Sequence, residues 1–490
     1  MKNNLLHTLC VTGLLFVLTT RPVWGQTEDA RYTKLENEIQ ALRQQMNALQ
    51  EEHSRAMAEL KALLPKQSTP TTSSVPQTVA SPITPTLPPE EAPSLYESMK
   101  HSAVSLVPSQ VQAIPGMDMD ISAVLDLYFY HDDTKEGMSH LKQELSGFGH
   151  HHDEADGHDH GGSENGFNLR HVELGFSAEV DPYVRAWTTV AVDEDGAELE
   201  EAVLQTTSLP YGLTFSGGKL KSGIGRLNRQ HSHNWDFLDQ PLVYDFFFGP
   251  HGLTEKGVQL TWLAPTPFYL LLGTELFNGN NEQSFAVAEA EGLSSHDAPR
   301  LWTGFIKAGP DLGPNHALLA GLSALVGRHQ MVHEATESAD GRSMIYGADF
   351  VYKYDAKRTH GLGDFILQGE YFYRDIDLDG EGDWAGSTWS AQQDGYYLQS
   401  LYGFQPRWRA GLRWEQLGLL NDLKTPEDGS VSFGETSRLA AVLEWKLSEF
   451  SLLRAQVGHG WYETHDGLER AWEFGLQWQL SFGKHAAHDF

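Results

Sequence analysis

The sequence between Ile121 and Phe482 divides into about sixteen amphipathic segments of strand length, separated by joints that are mostly long and short in turn. One face of each segment is apolar, and no apolar run of helix length occurs beyond the N-terminus. Hydrocarbon cannot hydrogen-bond a free backbone, so a sheet that crosses a membrane must close on itself. We therefore predict an all-β fold, a transmembrane antiparallel β-barrel of about 16 strands over residues 120–490.

Alternation along single segments indicates which face would meet lipid. The last segment carries an unbroken apolar stripe: Trp472, Phe474, Leu476, Trp478, Leu480 and Phe482. In an earlier segment Leu412 and Trp414 share one face, and Arg413 and Glu415 share the other. A soluble β-sandwich also alternates. The number of segments that end in large aromatic residues, together with the asymmetry of the joints, favours the barrel.

The N-terminal part of the chain has three zones of different composition. Residues 1–25 combine the basic Lys2, a short apolar stretch and a plausible cleavage site at residues 23–25, which predicts a secretory signal peptide. The single cysteine, Cys10, lies within it, so the mature chain is predicted to lack disulfides and thiolate metal sites. Residues 65–94, rich in Pro, Thr and Ser, are predicted to form an extended linker.

Residues 29–64 show the heptad spacing typical of an α-helical coiled coil. The seam positions hold Tyr32, Leu35, Ile39, Leu42, Met46, Leu49, Ala56, Leu60 and Leu63. His53 fills the remaining seam position, either as a register-setting polar residue or as a metal ligand shared between chains, and the pattern permits a dimer or a trimer. An even strand number puts both barrel ends on one side, so we expect this coiled coil in the periplasm.

The balance of charge excludes one class of partner. The chain has 66 acidic and 35 basic residues and a formal net charge of −31, whereas a nucleic-acid partner would require a basic field. Much of the acidic excess falls in presumed loops. The sequence also lacks the Gly-x-Ser-x-Gly, phosphate-loop and His-Glu-x-x-His motifs, so we predict that the protein is not an enzyme.

Residues 223–256, between the fifth and sixth segments, are unusually rich in aromatic and cationic side chains. A solvated loop rarely exposes so large an apolar patch. We interpret the segment as a loop folded into the barrel, where it narrows a channel. The alternative interpretation is a surface loop buried at a contact between subunits.

Residues 217–228 (G-G-K-L-K-S-G-I-G-R-L-N), followed by His231 and His233, resemble sequences of the phosphate-selective porins, porin O and P. The resemblance covers roughly residues 120–490 and implies a homotrimer of sixteen-stranded outer-membrane channels with the constriction between strands five and six. The coiled coil and linker are similar to the periplasmic stalks of some trimeric porins. Phe490 resembles the C-terminal aromatic residue by which barrel-assembly machinery recognises its clients.

The predicted pore lining is basic but not uniformly so. Its candidates are Lys219, Lys221, Arg226, Arg229, His231, His233, Lys353, Arg407, Arg409, Arg413 and Arg438. Anion selectivity in the porin group depends on a ladder of basic residues. Because Asp349, Glu415 and Glu444 are interleaved with the basic residues here, the sequence leaves the solute and its charge open.

The first long joint is a histidine-rich, acidic tract. Its candidate metal ligands are His131, His140, His150, His151, His152, Asp153, His158 and His160. Imidazole and carboxylate groups at close, irregular spacing bind Zn²⁺ or another divalent metal weakly without a fixed geometry. The tract therefore indicates either metal capture at the cell surface or a hydrophilic loop with incidental affinity, and no cofactor is required.

Two functions follow from these patterns. The first is a passive outer-membrane porin for small hydrophilic or ionic solutes, embedded in outer-membrane lipid. The second is a surface receptor or uptake protein for zinc-like ions. A receptor with a globular plug of more than about a hundred residues before its barrel fits poorly, since a coiled coil and a linker occupy that region here.

Overall fold

The computed structural model describes residues 119–148, 164–193, 196–281, 283–285, 298–334 and 337–483. The predicted signal peptide (1–25), coiled coil (29–64), linker (65–94) and the histidine-rich tract at 149–163 lie outside the described residues. Among the residues described, no helix is both long enough and apolar enough to cross a membrane.

The described residues form one closed antiparallel sheet. Its strands are β1 (Met119–Asp132), β2 (Gly166–Asp181), β3 (Val184–Val192), β4 (Ala197–Thr206), β5 (Leu213–Lys221), β6 (Thr254–Leu263), β7 (Tyr269–Phe277), β8 (Leu301–Gly309), β9 (His316–Glu334), β10 (Glu337–Tyr354), β11 (Phe365–Gly382), β12 (Thr388–Gln405), β13 (Trp408–Thr425), β14 (Gly429–Ser432), β15 (Thr436–Lys446), β16 (Ser451–Thr464) and β17 (Gly467–Gly483). Each strand pairs with its neighbour in sequence, except that β15 pairs with β13, and β1 pairs with β17 from Ser122↔Gly483 to Asp132↔Glu473. Closure removes the two free edges that an open sheet would have.

The barrel wall in the described part of the chain has sixteen strands. β14 is four residues long and pairs with the end of β13, while β13 also pairs along its length with β15. β14 is therefore an extension of a hairpin above the wall. The structure confirms the predicted antiparallel barrel and its strand number.

The two faces of β17 show why the wall is stable between lipid and an enclosed interior. Trp472 and Leu476 point outward and remain about half exposed, whereas Glu473 and Gln477 point inward and are buried. The period of two along a strand puts successive side chains on opposite faces. The predicted apolar stripe thus covers the outer surface, as a hydrocarbon environment requires.

The three longest joints lie at one end of the barrel. β1 begins where β17 ends, and the joints at that end are short, such as 182–183 and 406–407. The joints 133–165, 222–253 and 278–300 lie at the other end.

Two predicted joints are strand hairpins instead. The sequence predicts joints at 327–343 and 374–394, but β9 continues to Glu334 and β10 begins at Glu337. In the same way, β11 continues to Gly382 and β12 begins at Thr388. Apolar alternation marks only the part of a strand that faces lipid. Backbone pairing extends the strands beyond that part, where the sequence shows no apolar alternation.

Residues 222–253, which we call the lumen loop, fold inside the barrel. The loop contains the helix α2 (Leu242–Phe248), and the first long joint adds the short helix α1 (Met138–Gln143). Buried aromatic and aliphatic side chains from both segments pack together with inward-facing wall residues, among them Leu145, Phe148, Phe247, Phe248, Phe277 and Phe372. Of the two interpretations of this segment, the structure agrees with the loop folded into the barrel.

The outward face makes a depth-dependent prediction. Leu476→Arg puts a cation in the middle of β17 and should destabilise the folded barrel by about 2–4 kcal/mol in lipid, whereas the matched change Leu468→Arg, at the strand's long-joint end, should cost about 0–1 kcal/mol. Urea titration of folding into vesicles, followed by gel mobility, measures both. Equal costs at the two positions would contradict the assignment of this face to lipid.

Candidate functional site

Carboxylates of the barrel wall accept backbone N–H groups of the lumen loop. Glu370 on β11 accepts the backbone N–H groups of Arg226 and Leu227, each at 2.8 Å. Glu275 on β7 accepts the N–H of Gly223 at 2.8 Å, and Glu415 on β13 accepts the N–H of Leu242 at 2.7 Å. These wall carboxylates replace the water that an exposed loop would use.

Gly225 lies against the wall carboxylate Glu370. Its φ of 55° lies in the left-handed region, and a Cβ there would lie 2.3 Å from Glu370 Oε2 and 2.4 Å from the Tyr244 hydroxyl oxygen. Lys307 donates to the Gly225 carbonyl oxygen. Only glycine fits this backbone without strain or overlap.

On the other side of the barrel the loop supplies the anions and the wall supplies the cations. Asp236 pairs with Arg409 at 2.8 Å. Asp239 pairs with Arg413 at 2.6 Å and also with Arg438. Burial alone would raise the pKa of Asp239, but Arg438 and Arg413 hold that pKa well below its usual range.

Arg409, Arg413 and Arg438 therefore contribute little free positive charge to the lumen. Arg413 also bonds Glu415 at 2.8 Å, and Arg438 bonds Glu415 at 2.8 Å and Glu473 at 2.7 Å. Glu444 accepts from both Arg409 and Arg454. Part of the predicted basic lining is an ion network that fixes the loop to β13, β15, β16 and β17.

A cavity of about 1990 Å³ lies inside the barrel on the short-joint side of the lumen loop. Its lining holds ten Lys or Arg side chains and eight Asp or Glu side chains, so these charges nearly balance. Most of the predicted pore-lining residues border it: Lys221, Arg226, Arg229, His231, His233, Lys353, Arg407 and Arg409. Lys219 is placed elsewhere, with its ammonium group 2.6 Å from the Leu199 carbonyl oxygen.

The opposite side of the lumen loop is packed with aromatic rings. Phe148, from the first long joint, contacts Phe246 and Phe247 with ring centroids 5.9 and 6.4 Å apart. Lys142 of α1 pairs with Asp245 of α2 at 2.6 Å. The first long joint is thus attached directly to the lumen loop.

Histidines of the lumen loop meet wall glutamates at the edge of the cavity. His231 Nδ1 lies 3.0 Å from Glu200 Oε2, and His231 Nε2 lies 2.8 Å from Glu201 Oε2, both carboxylates being on β4. On β2, Glu173 Oε2 lies 2.9 Å from His233 Nδ1. We call Glu173, Glu200, Glu201, His231 and His233 the His–Glu cluster.

The charge on His231 follows from this arrangement. Burial alone would lower the pKa of its imidazole, but the hydrogen bonds with Glu200 and Glu201 outweigh burial and raise that pKa to about 9. At neutral pH, without a bound cation, the ring is therefore a doubly donating imidazolium between two carboxylates.

The predicted metal ligands of the first long joint are largely outside the described residues. His131 lies exposed near the end of β1, and His140 lies exposed on α1 with Nδ1 3.2 Å from Glu136. His150, His151, His152, Asp153, His158 and His160 are not among the residues described.

Sequence reasoning named His231 and His233 as pore-lining residues but missed their glutamate partners. Glu173 follows His171 two positions along β2, and Glu200 and Glu201 lie on β4. An acidic residue on an inward face was the available signal. It is weak by itself, because inward positions of such barrels are often charged.

Comparison with known proteins gives a family without a named activity. The chain belongs to the same family as an uncharacterized protein of Aquifex aeolicus, to which it is 38% identical over 387 residues, covering 76% of this chain and 80% of that protein. No protein-family model matches the chain.

Solved structures similar to the chain include outer-membrane proteins. The outer membrane channel DcaP of Acinetobacter baumannii aligns with a TM-score of 0.48 and 13% identity over 76% of this chain and 99% of that one. The anion-selective porin of Comamonas acidovorans aligns with a TM-score of 0.45 and 11% identity, over 75% of this chain and 100% of that one.

The wall carboxylates generate a prediction about the lumen loop. Glu370→Gln replaces an acceptor oxygen with an amide N–H facing the donors of Arg226 and Leu227, and charge-assisted bonds of this kind contribute about 1.5–3 kcal/mol each. Hydrogen exchange at residues 226–227 in the folded barrel should accelerate by on the order of tenfold or more. Glu381→Gln, at the exposed end of β11, is the matched control. Unchanged protection in Glu370→Gln would show that the carboxylate does not hold the loop.

Proposed function

We propose that the protein is a porin-like channel of the bacterial outer membrane that passes small hydrophilic or ionic solutes by passive diffusion. The observation that carries the proposal is a cavity of about 1990 Å³ that is lined by many charged side chains and lies inside a closed barrel whose outer face is apolar. A barrel that faced water on both sides would have no reason to expose rows of Trp, Leu and Phe. The enclosed charged surface needs water and ions, and a transmembrane pore supplies both.

The lumen loop makes the proposed channel narrow. It is bonded to β7 and β11 on one side and to β13, β15 and β16 on the other, so it crosses the lumen. Aromatic packing fills the space on the long-joint side. We therefore propose low conductance and strict size exclusion, with movements of the lumen loop controlling the opening.

The charges around the cavity favour small anions weakly. Ten basic side chains face eight acidic ones, although the whole chain carries a net charge of −31. Arg413 and Arg438 are already paired with Asp239, Glu415 and Glu473. The resemblance to phosphate-selective porins fits such an excess, and we extend the proposal to phosphate-sized anions.

The location and assembly in this proposal come from the sequence. The barrel would contact outer-membrane lipid, the coiled coil of residues 29–64 would lie in the periplasm, and the chain would form a homotrimer inserted by barrel-assembly machinery. Crosslinking of the full-length protein in native membranes tests the trimer, and a monomer under those conditions would reject it.

Conductance in planar bilayers tests the channel. We expect discrete, ohmic openings from the purified full-length protein, and larger openings from Glu370→Gln, because that change frees one side of the lumen loop. The channel would be rejected if correctly folded wild-type protein and Glu370→Gln both showed no openings. Vesicles that contain either protein would then also take up no small solutes.

The charge balance of the cavity predicts the effect of a single reversal. Lys353→Glu should lower the anion-to-cation permeability ratio, by about threefold or more, because the change replaces a cation on the cavity wall with an anion. Lys424→Glu makes the same change of charge on an exposed part of β13 away from the cavity and should leave the ratio unaltered. Reversal potentials in a salt gradient measure both. A Lys353→Glu channel with the wild-type ratio would show that ions do not pass this cavity.

A further inference from the structure

We propose that the His–Glu cluster is a binding site for a divalent transition-metal ion such as Zn²⁺, in which the metal ties the lumen loop to the barrel wall. The site is separate from the histidine-rich tract of the first long joint. It brings together side chains from β2, β4 and the lumen loop that are distant in sequence.

The spacing of the ligand atoms suits one ion. Zn²⁺ bonds to imidazole nitrogen and carboxylate oxygen are about 2.0–2.2 Å long, so the ligand atoms of a tetrahedral site lie about 3.4 Å from one another. His231 Nδ1 lies 3.0 Å from Glu200 Oε2 and 3.8 Å from Glu173 Oε2. All three atoms lie within 4.8 Å of one another. Small movements of the glutamate side chains would complete this part of the shell.

A fourth ligand lies close by. His233 Nδ1 lies 2.9 Å from Glu173 Oε2, and the rings of His231 and His233 stack with their centroids 5.9 Å apart. His233 lies outside the set of atoms within 4.8 Å of one another, so its ring would move toward the ion on binding. The proposed ligands are therefore Glu173, Glu200, His231 and His233.

Glu201 supplies the second shell that such sites require. Its Oε2 lies 2.8 Å from His231 Nε2, the ring nitrogen that faces away from Glu200 and Glu173. A carboxylate that accepts a hydrogen bond from Nε2–H fixes the tautomer, leaves the Nδ1 lone pair for the metal and increases the basicity of the ring. Glu201 is thus a positioning residue for His231.

Charge and burial favour a cation here. The side chains of Glu173, Glu200 and Glu201 are only 9, 11 and 12% exposed, and the three carboxylates lie around one imidazole. Carboxylates so far removed from water are costly without compensating charge. A divalent ion provides more compensation than a single imidazolium. The two imidazoles select a zinc-like ion over Mg²⁺ or Ca²⁺, which prefer oxygen ligands.

Bound metal would strengthen the attachment of the lumen loop to β2 and β4. Wall carboxylates hold residues 223–227 to β7 and β11, and ion pairs hold residues 236–239 to β13 and β15. Residues 231–233 lie between these two anchors. The proposed effect of the metal on channel opening rests on the proposed function. The binding of the ion does not depend on it.

Equilibrium dialysis with Zn²⁺ tests the site directly. The background is the full-length protein, folded in detergent, with asparagine at His150, His151, His152, His158 and His160. We expect this background to bind one Zn²⁺ per chain more than the same protein carrying Glu200→Gln and His231→Asn. His251→Asn is the matched control, since this exposed lumen-loop histidine lies outside the cluster, with Nε2 3.6 Å from Glu198.

A milder variant separates metal binding from folding. Glu201→Gln keeps every proposed ligand and should weaken Zn²⁺ binding by about 10–100-fold without abolishing it. Heat-modifiable gel mobility shows whether each variant is a folded barrel. Co²⁺ added in place of Zn²⁺ should give visible absorption bands that Glu200→Gln with His231→Asn lacks. Excess Mg²⁺ should not displace either ion.

The outcomes distinguish this inference from the proposed function. Equal Zn²⁺ binding by the background and by folded Glu200→Gln/His231→Asn would overturn the site, whether or not the barrel conducts. Loss of one Zn²⁺ in that variant from a barrel that shows no openings would support the site and reject the channel. If the protein forms openings, the Zn²⁺ concentration that lowers the conductance should be at least tenfold lower for the background than for the double variant. Equal sensitivity to Zn²⁺ would overturn the role of the metal in opening.

Discussion

The backbone of a chain segment inside a barrel must find its hydrogen-bond partners on the barrel wall. Glu275, Glu370 and Glu415 meet this requirement by accepting N–H groups of residues 223, 226, 227 and 242. An unpaired buried amide would cost about 1–3 kcal/mol, so the path of the lumen loop depends on where these carboxylates stand. The cavity, the ion network and the His–Glu cluster all follow from that path.

The charges of the interior have two different roles. Asp236 and Asp239 neutralise Arg409, Arg413 and Arg438, and they join the loop to strands on the far wall. Removing one partner of such a buried pair leaves an uncompensated buried charge. This destabilises the protein more than replacing both partners with apolar residues would. Other charged side chains border the cavity, where a solute would meet them. A count of basic residues in the sequence cannot separate these roles, because pairing depends on the loop.

The strands were predictable because lipid on one side and a polar interior on the other impose alternation on each strand separately. The outward orientation of Trp472 and the inward orientation of Glu473 can be predicted from the neighbouring residues alone. The His–Glu cluster was not predictable. Glu173, Glu200 and His231 meet only after the barrel closes and the loop folds inward, and each is ordinary in its own segment. The β9–β10 hairpin was missed for a related reason, since its outer part has no lipid to impose a pattern.

The 2.6 Å pair between Lys142 of α1 and Asp245 of α2 has a mechanical consequence. α1 belongs to the joint that also carries the histidine-rich tract, and α2 belongs to the segment that crosses the lumen. A macromolecule or ion that pulls α1 away from the mouth of the barrel must either break this pair or drag α2 with it. The barrel therefore contains a direct linkage between its rim and its interior, which needs no deformation of the wall.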